Sequence, residues 1–199
     1  MSQDVFQRWH DAFLQTVQDH AAAEPLKEAS LAADLMAWTA HLTTAVVRSC
    51  EMLGWPTAAK GHRLELLPVA GQEYLSIDVT AFPEQNEGSG PTRWPMPLAA
   101  FELENARDAD RVAYSLWKLL CLRAKLRVVF AYRPDWEQGR SLVQALQEAV
   151  MSAMSPAERM SLGGETVVIV GNRGEGETFP WGYFKCWRLD TNLGRFEKI

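Results

Sequence analysis

Apolar residues recur every three or four positions through the first fifty residues, which is the spacing of one face of an α-helix. The stretch from Asp4 to about His20 predicts an amphipathic helix with a buried stripe, which consists of Phe6, Trp9, Phe13 and Val17. Residues 21–25 predict a turn that ends at Pro25. A longer helix follows up to Gly54-Trp55-Pro56, and its apolar face is formed by Leu31, Leu35, Trp38, Leu42, Val46 and Leu53.

The period of the pattern changes after residue 60, where alternating and β-branched segments predict strands. Residues 62–69 and 73–82 indicate a hairpin with its turn at Gly71-Gln72. Residues 82–97 contain Gly88, Gly90 and four prolines, and they predict a mobile surface loop. Residues 98–104 predict a third strand.

The second half of the chain alternates between helical and strand patterns. Residues 106–125 lack glycine and proline and predict a helix, and residues 126–132 predict a short buried strand. A helix over 136–154 and a strand over 165–170 follow. The last predicted strand covers 181–189, with one face formed by Trp181, Tyr183, Trp187 and Leu189. The order of elements predicts an α/β fold, with a central mixed sheet flanked by helices.

Composition narrows the class of protein. The chain has 199 residues, 47% of them hydrophobic and 23% charged, so we expect a single domain over 1–199 with a sizeable core. A polar start and the absence of a long apolar run predict a cytoplasmic protein without a membrane partner. The formal charge of −5 argues against general coating of nucleic acid but leaves room for a local basic face. Cys50, Cys121 and Cys186 have no paired spacing, so buried thiols are expected rather than disulfides or a zinc site.

Three acidic residues interrupt the predicted inner strands. Asp78 lies within the apolar run Ser76 to Thr80, and Glu102 and Glu104 project to one face at the end of the next strand. Carboxylates that converge in this way repel one another unless a cation neutralises them. Mg²⁺, or Mn²⁺ in its place, prefers such hard oxygen ligands and can activate a bound water for attack on a phosphodiester.

The element order of residues 30–132, together with Asp78 followed by Glu102-Leu103-Glu104, resembles the PD-(D/E)xK nuclease superfamily in its ExE variant. The resemblance implies a restriction-endonuclease-like core over 30–132, a helical N-terminal extension over 1–29, and a C-terminal helix and β extension over 133–199. It also implies that Asp78, Glu102 and the Leu103 carbonyl bind the metal. Glu104 occupies the position where the family usually has lysine; some restriction enzymes of the superfamily also have glutamate there, and Glu104 is expected to assist catalysis.

In some members of that superfamily the following helix supplies the lysine, and here Lys118 is the candidate. The same predicted helix carries Arg111, Tyr114 and Lys125 as candidate nucleic-acid contacts, with Tyr114 in the tyrosine position of RecB-like nucleases. Glu51, near the end of the preceding long helix, is a candidate additional metal ligand. These assignments imply DNA as substrate, and a homodimer or a larger nuclease complex as the assembly.

Simpler interpretations remain open for each of these signals. An Asp-to-Glu-x-Glu spacing is common by chance, in which case Glu104 caps the helix and Glu102 faces solvent. The stripe that includes Arg111 and Lys118 is equally typical of a solvated helix face. The sequence therefore predicts a Mg²⁺-dependent DNA endonuclease or nuclease subunit. The alternative is an inactive protein of the same fold that acts as an interaction or scaffold subunit, and a third hypothesis is a bacterial effector or defence protein.

Overall fold

The computed structural model describes residues 4–67, 69–84 and 94–199, and in these ranges the chain forms one seven-stranded sheet with helices on both faces. The strands lie in sequence order and comprise β1 (Thr57–Ala59), β2 (Val79–Ala81), β3 (Ala99–Leu103), β4 (Leu126–Arg133), β5 (Glu165–Asn172), β6 (Phe184–Asp190) and β7 (Arg195–Lys198). The helices comprise α1 (Val5–Gln18), α2 (His20–Leu31), α3 (Leu35–Glu51), α4 (Ala109–Leu120), α5 (Trp136–Leu146) and α6 (Pro156–Ser161). A π-helical turn over Gln147–Met151 extends α5.

The sheet is mixed because its centre is parallel and its flanks are antiparallel. β3, β4 and β5 run parallel, while the β1–β2–β3 and β5–β6–β7 groups are antiparallel meanders. Parallel neighbours need a crossover connection, and α4 supplies it between β3 and β4. The prediction of an α/β fold with a helix-flanked mixed sheet is confirmed.

Two hydrophobic layers hold the helices to the sheet. On one face α1, α2 and α3 pack against alternate strand residues such as Phe101 and Phe130, with Trp9 and Trp38 fully buried between them. On the other face α4 and α5 cover a second cluster that includes Val129. Alternation of side chains along each strand divides the core in this way.

Aspartate caps begin five of the helices, and the cap of α4 matters for the site. Asp108 accepts a hydrogen bond from the amide of Asp110 and so defines the first turn of α4. Val112, Leu116 and Leu119 then lie on the buried face of this helix, as its 3.6-residue period requires. The helix is shorter than predicted, because residues 106–108 form its approach and Cys121 its C-cap.

The predicted turn at 21–25 is wrong. Residues 20–31 form α2, which keeps Pro25 in its interior because Leu26 and Ala29 pack into the core. The break in the helical run comes instead at Ala33, whose φ of 55° is left-handed. The long predicted helix is therefore two helices, α2 and α3.

The predicted hairpin of 62–69 and 73–82 is also wrong. β1 is the three-residue segment Thr57–Ala59, and beyond it His62 and Leu64 make only isolated bridges, the second of them to Gly71. A 3₁₀ turn over Tyr74–Ser76 precedes β2, so the ladder starts at Val79. Most of the predicted loop at 82–97 lies outside the described residues.

The C-terminal strands follow the prediction except at the start of the last predicted segment. β4 and β5 pair over eight residues, and β6 begins at Phe184 rather than at residue 181. Trp187 and Leu189 share one face as expected. Trp181 is exposed, and Tyr183 is buried on the opposite face of the sheet, so the predicted four-residue face is wrong.

In the parts of the chain that the structure describes, every helix is too short or too polar to cross a bilayer.

Candidate active site

Strand pairing brings two of the predicted acids to one point of the sheet. Val79 of β2 lies opposite Phe101 of β3 in the antiparallel register. Asp78, directly before β2, therefore lies next to Glu102, on the sheet face that carries α4. Ala100, two residues before Glu102, packs in the same layer as α4.

The backbone around Asp78 fixes its carboxylate against β3. Its Oδ2 atom accepts a hydrogen bond of 2.7 Å from the Leu103 amide. Leu75 and Ser76, just before it, have left-handed φ values of 57° and 55°, which residues other than glycine rarely adopt. Such strain costs on the order of 1–3 kcal/mol per residue and persists only where surrounding contacts enforce it.

Lys118 of α4 supplies the positive charge at this point. Its Nζ atom lies 2.8 Å from Oε1 of Glu102 and donates a hydrogen bond of 2.8 Å to the Ser76 carbonyl. Oε1 of Glu102 is buried and forms an ion pair with the Lys118 ammonium. The Ser76 carbonyl in the strained turn thus holds the Lys118 ammonium next to the Glu102 carboxyl group.

Burial makes Glu102 a weak acid. Desolvation raises its pKa from the ordinary 4.5 to about 7, since Glu102 is only 4% exposed. The polar contact and the charge of Lys118 oppose this shift, and the charge of Asp78 adds to it. Burial therefore favours the protonated form of Glu102, whereas a second cation beside it would favour the ionised form.

Glu104 lines the same cleft but has a structural partner. Its Oε1 atom accepts a hydrogen bond of 2.8 Å from the Ala106 amide, in the connection that leads to α4. Arg133, buried at the end of β4, donates to the carbonyls of Ala106 and Arg107 and fixes the same connection. Asn105 donates to the Leu35 carbonyl and ties the connection to α3.

Asp78, Glu102, Glu104 and Asp110 line an open cleft of about 560 Å³. Arg111 and Tyr114 of α4 lie on its wall together with Lys118, as does Leu103. Lys125 lies elsewhere, in the lining of a larger cavity of about 980 Å³ formed around the C-terminal end of α4. Glu51 is exposed at the end of α3 and is not among the cleft residues.

The side chains of the cleft provide part of a coordination shell for a divalent cation. Asp78 and Glu102 provide two carboxylates, and Mg²⁺ is commonly held by one or two carboxylates and several waters. Oε1 of Glu102 is a buried hard oxygen that the Lys118 ammonium already contacts at 2.8 Å. Among the described residues, however, no three acidic, histidine or cysteine side chains form a ready-made metal cage. The carboxylates of Asp78, Glu102, Glu104 and Asp110 all line the cleft, but among the described residues no three of them are close enough to form such a cage.

The sequence interpretation missed two buried arginines that position α4. Arg127 is 1% exposed and donates to the carbonyls of Leu119, Leu122, Leu162 and Gly163. A charged residue inside the apolar run of β4 was the available signal, and it is the same signal that singled out Asp78. Arg133 carried less signal, because it stands at a strand end where charges are common.

Comparison of the chain with protein-family models, with curated proteins and with solved structures found no match in any of the three.

Proposed function

We propose that this protein is a Mg²⁺-dependent nuclease with a restriction-endonuclease-like core, which hydrolyses phosphodiester bonds of DNA at the cleft of Asp78, Glu102 and Lys118. The observation that carries the proposal is the meeting of two carboxylates and one lysine at the start of β2, the end of β3 and one face of α4. Acids and a base that are brought into one cleft from separate elements, with a strongly shifted pKa, are typical of a functional site.

The order of elements supports the same proposal. A helix, a three-stranded antiparallel meander, a crossover helix and a parallel strand follow one another from α3 to β4. This is the arrangement that the resemblance to the PD-(D/E)xK superfamily implies. Lys118 takes the place of the lysine that the motif lacks at Glu104.

Each side chain has a part that follows from its position. Asp78 and Glu102 would hold the cation, and a divalent cation bound there supplies an activated water and charge stabilisation at the phosphate. Glu102 would bind a cation as the carboxylate, so protonation opposes metal binding and activity should fall as the pH is lowered. With a cation held by Glu102, the ammonium of Lys118 would be free to contact a phosphate oxygen.

Cleavage of DNA by the wild-type chain and by Asp78→Asn tests the proposal. Asparagine keeps an oxygen that can accept from the Leu103 amide, so the fold should survive while the charge is lost. Supercoiled plasmid and single-stranded circular DNA are offered separately with Mg²⁺, with Mn²⁺ and with a chelator. We expect metal-dependent cleavage of at least one substrate. We expect Asp78→Asn to lose more than the roughly hundredfold that removal of an outer metal partner costs.

Glu51→Gln is the matched control, because it also removes one carboxylate but lies outside the cleft. It should cleave at the wild-type rate. Full activity of Asp78→Asn, or the absence of cleavage of both substrates by folded wild-type protein with either metal, would refute the proposal.

One observation favours a second function, that of an inactive scaffold with the same fold. Lys118 already neutralises Glu102 at 2.8 Å, as a lysine would in a cleft that no longer takes a metal. In that case neither Mg²⁺ nor Mn²⁺ should raise the thermal stability of the protein, whereas a real site stabilises the fold by mass action. Self-association that depends on protein concentration would accompany the scaffold function.

A further inference from the structure

Two large aromatic rings of α4 lie uncovered beside the π-helical turn that extends α5. Tyr114 is 60% exposed and Trp117 is 55% exposed, although the opposite side of the helix is buried. Their ring centroids are 6.0 Å apart, and the ring planes are inclined by 31°. Large aromatic side chains are enriched in the cores of protein interfaces, and an exposed pair of them beside further apolar groups is typical of an interaction surface.

The two rings border an apolar groove between helices. They line a space of about 530 Å³ between α4 and residues 149–158, together with Leu120, Val150 and Met154. Most of the groove residues belong to α4, the π-helical turn or α6, whose backbone groups bond within each helix. A segment that enters the groove therefore finds few backbone partners there. It must satisfy its own backbone hydrogen bonds, as a helix does.

The charged residues of this groove are acidic. Asp110 and Glu158 line it, and among the residues that the structure describes no lysine or arginine does so. Arg159, the neighbour of Glu158, donates to the Met154 carbonyl instead. The groove thus combines an apolar lining with two carboxylates that lack a cation in the lining.

The basic residues of α4 and its C-terminal end do not reverse this charge. Arg123 and Lys125 line the separate cavity at the end of the helix. Arg111 and Lys118 line the acidic cleft, where four carboxylates outnumber them. Asp110 and Tyr114 belong to both the cleft and the groove, so the two form one continuous surface with an excess of negative charge. Such a surface attracts a cationic partner and repels a polyanion.

We infer that the groove is the docking site for a basic amphipathic helix of a partner protein, whose apolar stripe packs on Trp117 and whose flanking lysines or arginines lie against Asp110 and Glu158. Insertion of one apolar helix face into a groove is a common mode of peptide recognition. Complementary charge around the groove selects a basic helix over an acidic one. The inference does not depend on the proposed nuclease function, since neither a metal nor DNA takes part in it.

Fluorescence anisotropy of a labelled model peptide tests the inference. The probe is a peptide of about 18 leucine and lysine residues, with leucine at the spacing of one helical face. One comparison peptide has glutamate in place of lysine, and another has two central prolines that break the helix. Binding is measured in chelator at physiological salt, where long-range attraction is screened. We expect one lysine peptide per chain, bound at least about tenfold more tightly than either comparison peptide.

Substitutions in the groove should weaken this binding. Trp117→Ala should do so by about tenfold or more, because a large aromatic residue at the centre of an interface commonly contributes that much. Asp110→Asn combined with Glu158→Gln should weaken binding by about three- to tenfold and reduce its dependence on salt. Glutamine at position 158 can still accept from the Ser155 amide, so α6 keeps its capping box.

Two controls match these variants. Trp181→Ala removes a ring that is 65% exposed but lies outside the groove. Glu28→Gln combined with Glu51→Gln removes the same charge as the double variant, from exposed positions on α2 and α3, which cover the opposite face of the sheet. Both controls should bind the lysine peptide as the wild-type chain does.

Several results would overturn the inference. They are equal affinity for the lysine and glutamate peptides, undiminished binding of the proline-containing peptide, and an unchanged affinity in folded Trp117→Ala. Equal weakening in the charge control would show attraction to net charge and not to the groove. Self-association that Trp117→Ala abolishes, with no binding of the lysine peptide, would assign the groove to a second copy of the chain. Absence of DNA cleavage would leave the inference standing, because binding is measured without DNA or metal.

Discussion

Glu102→Gln removes the proton-binding group of the cleft while it keeps the shape of the side chain. The wild-type carboxyl group has a pKa of about 7 in the folded protein, compared with 4.5 ordinarily. A raised acid pKa means that the folded state holds the proton more tightly than the unfolded state. Its contribution to stability is fully present below pH 4.5 and is lost as the pH rises through about 7.

The size of the effect follows from these two values. Between pH 5 and pH 8 the free energy of unfolding of the wild type should fall by about 2–3 kcal/mol because of this one group. The glutamine variant lacks the titration and should not show this loss. The ion pair with Lys118 forms only when Glu102 is ionised, and its effect is already contained in the folded-state pKa of about 7, so its loss in the variant adds no separate pH-dependent contribution.

Urea unfolding of both proteins at pH 5 and pH 8 measures this double difference. Glu165, whose pKa burial also raises to about 7, titrates in the same window in both proteins and therefore cancels. We expect the midpoint of the variant, relative to the wild type, to increase by about 1 M urea between the two pH values. An equal pH dependence in the two proteins would refute the buried, weakly acidic Glu102.

Two further predictions concern the side chains around α4. Lys118→Met leaves Glu102 without its counter-charge, so it should destabilise the fold by about 2 kcal/mol at pH 8 and by less at pH 5, where Glu102 is protonated. Urea unfolding at the two pH values checks this, and an equal loss at both would contradict it. Arg127→Met removes the donors to Leu122, Gly163 and their neighbours and should cost about 3 kcal/mol at pH 7. A loss below about 1 kcal/mol in the same assay would show that Arg127 does not anchor the end of α4.

The sequence predicted the elements whose hydrophobic period continues for several turns or alternations. The sequence predicted α1, α4, β4 and β5 because apolar residues such as Trp9 and Leu116 recur on one face. β1 has only three residues, too few for a period to show. The alternation over 62–69 was misleading, because that segment makes single bridges instead of a ladder. Pro25 indicated a turn, but tertiary packing of α2 outweighed its local preference.

The candidate site was predictable only in part, because a residue pattern reveals charged residues beside apolar segments but not the contacts of the folded backbone. Asp78 and Glu102 stood out as acids next to apolar strands, and the structure brings them together with Lys118. The partner of Glu104 and the strained turn at Ser76 depend on backbone geometry that no residue pattern reveals. Their contacts exist only after the sheet and α4 have assembled.

Calorimetric titration of Mn²⁺ into the wild-type chain and into Asp78→Asn at pH 7.5 tests the central claim most directly, namely that this acid pair holds a divalent cation. We expect one bound ion per wild-type chain, release of part of a proton from Glu102, and no measurable binding to Asp78→Asn. Equal binding by the two proteins, or none by the wild type, would contradict the account.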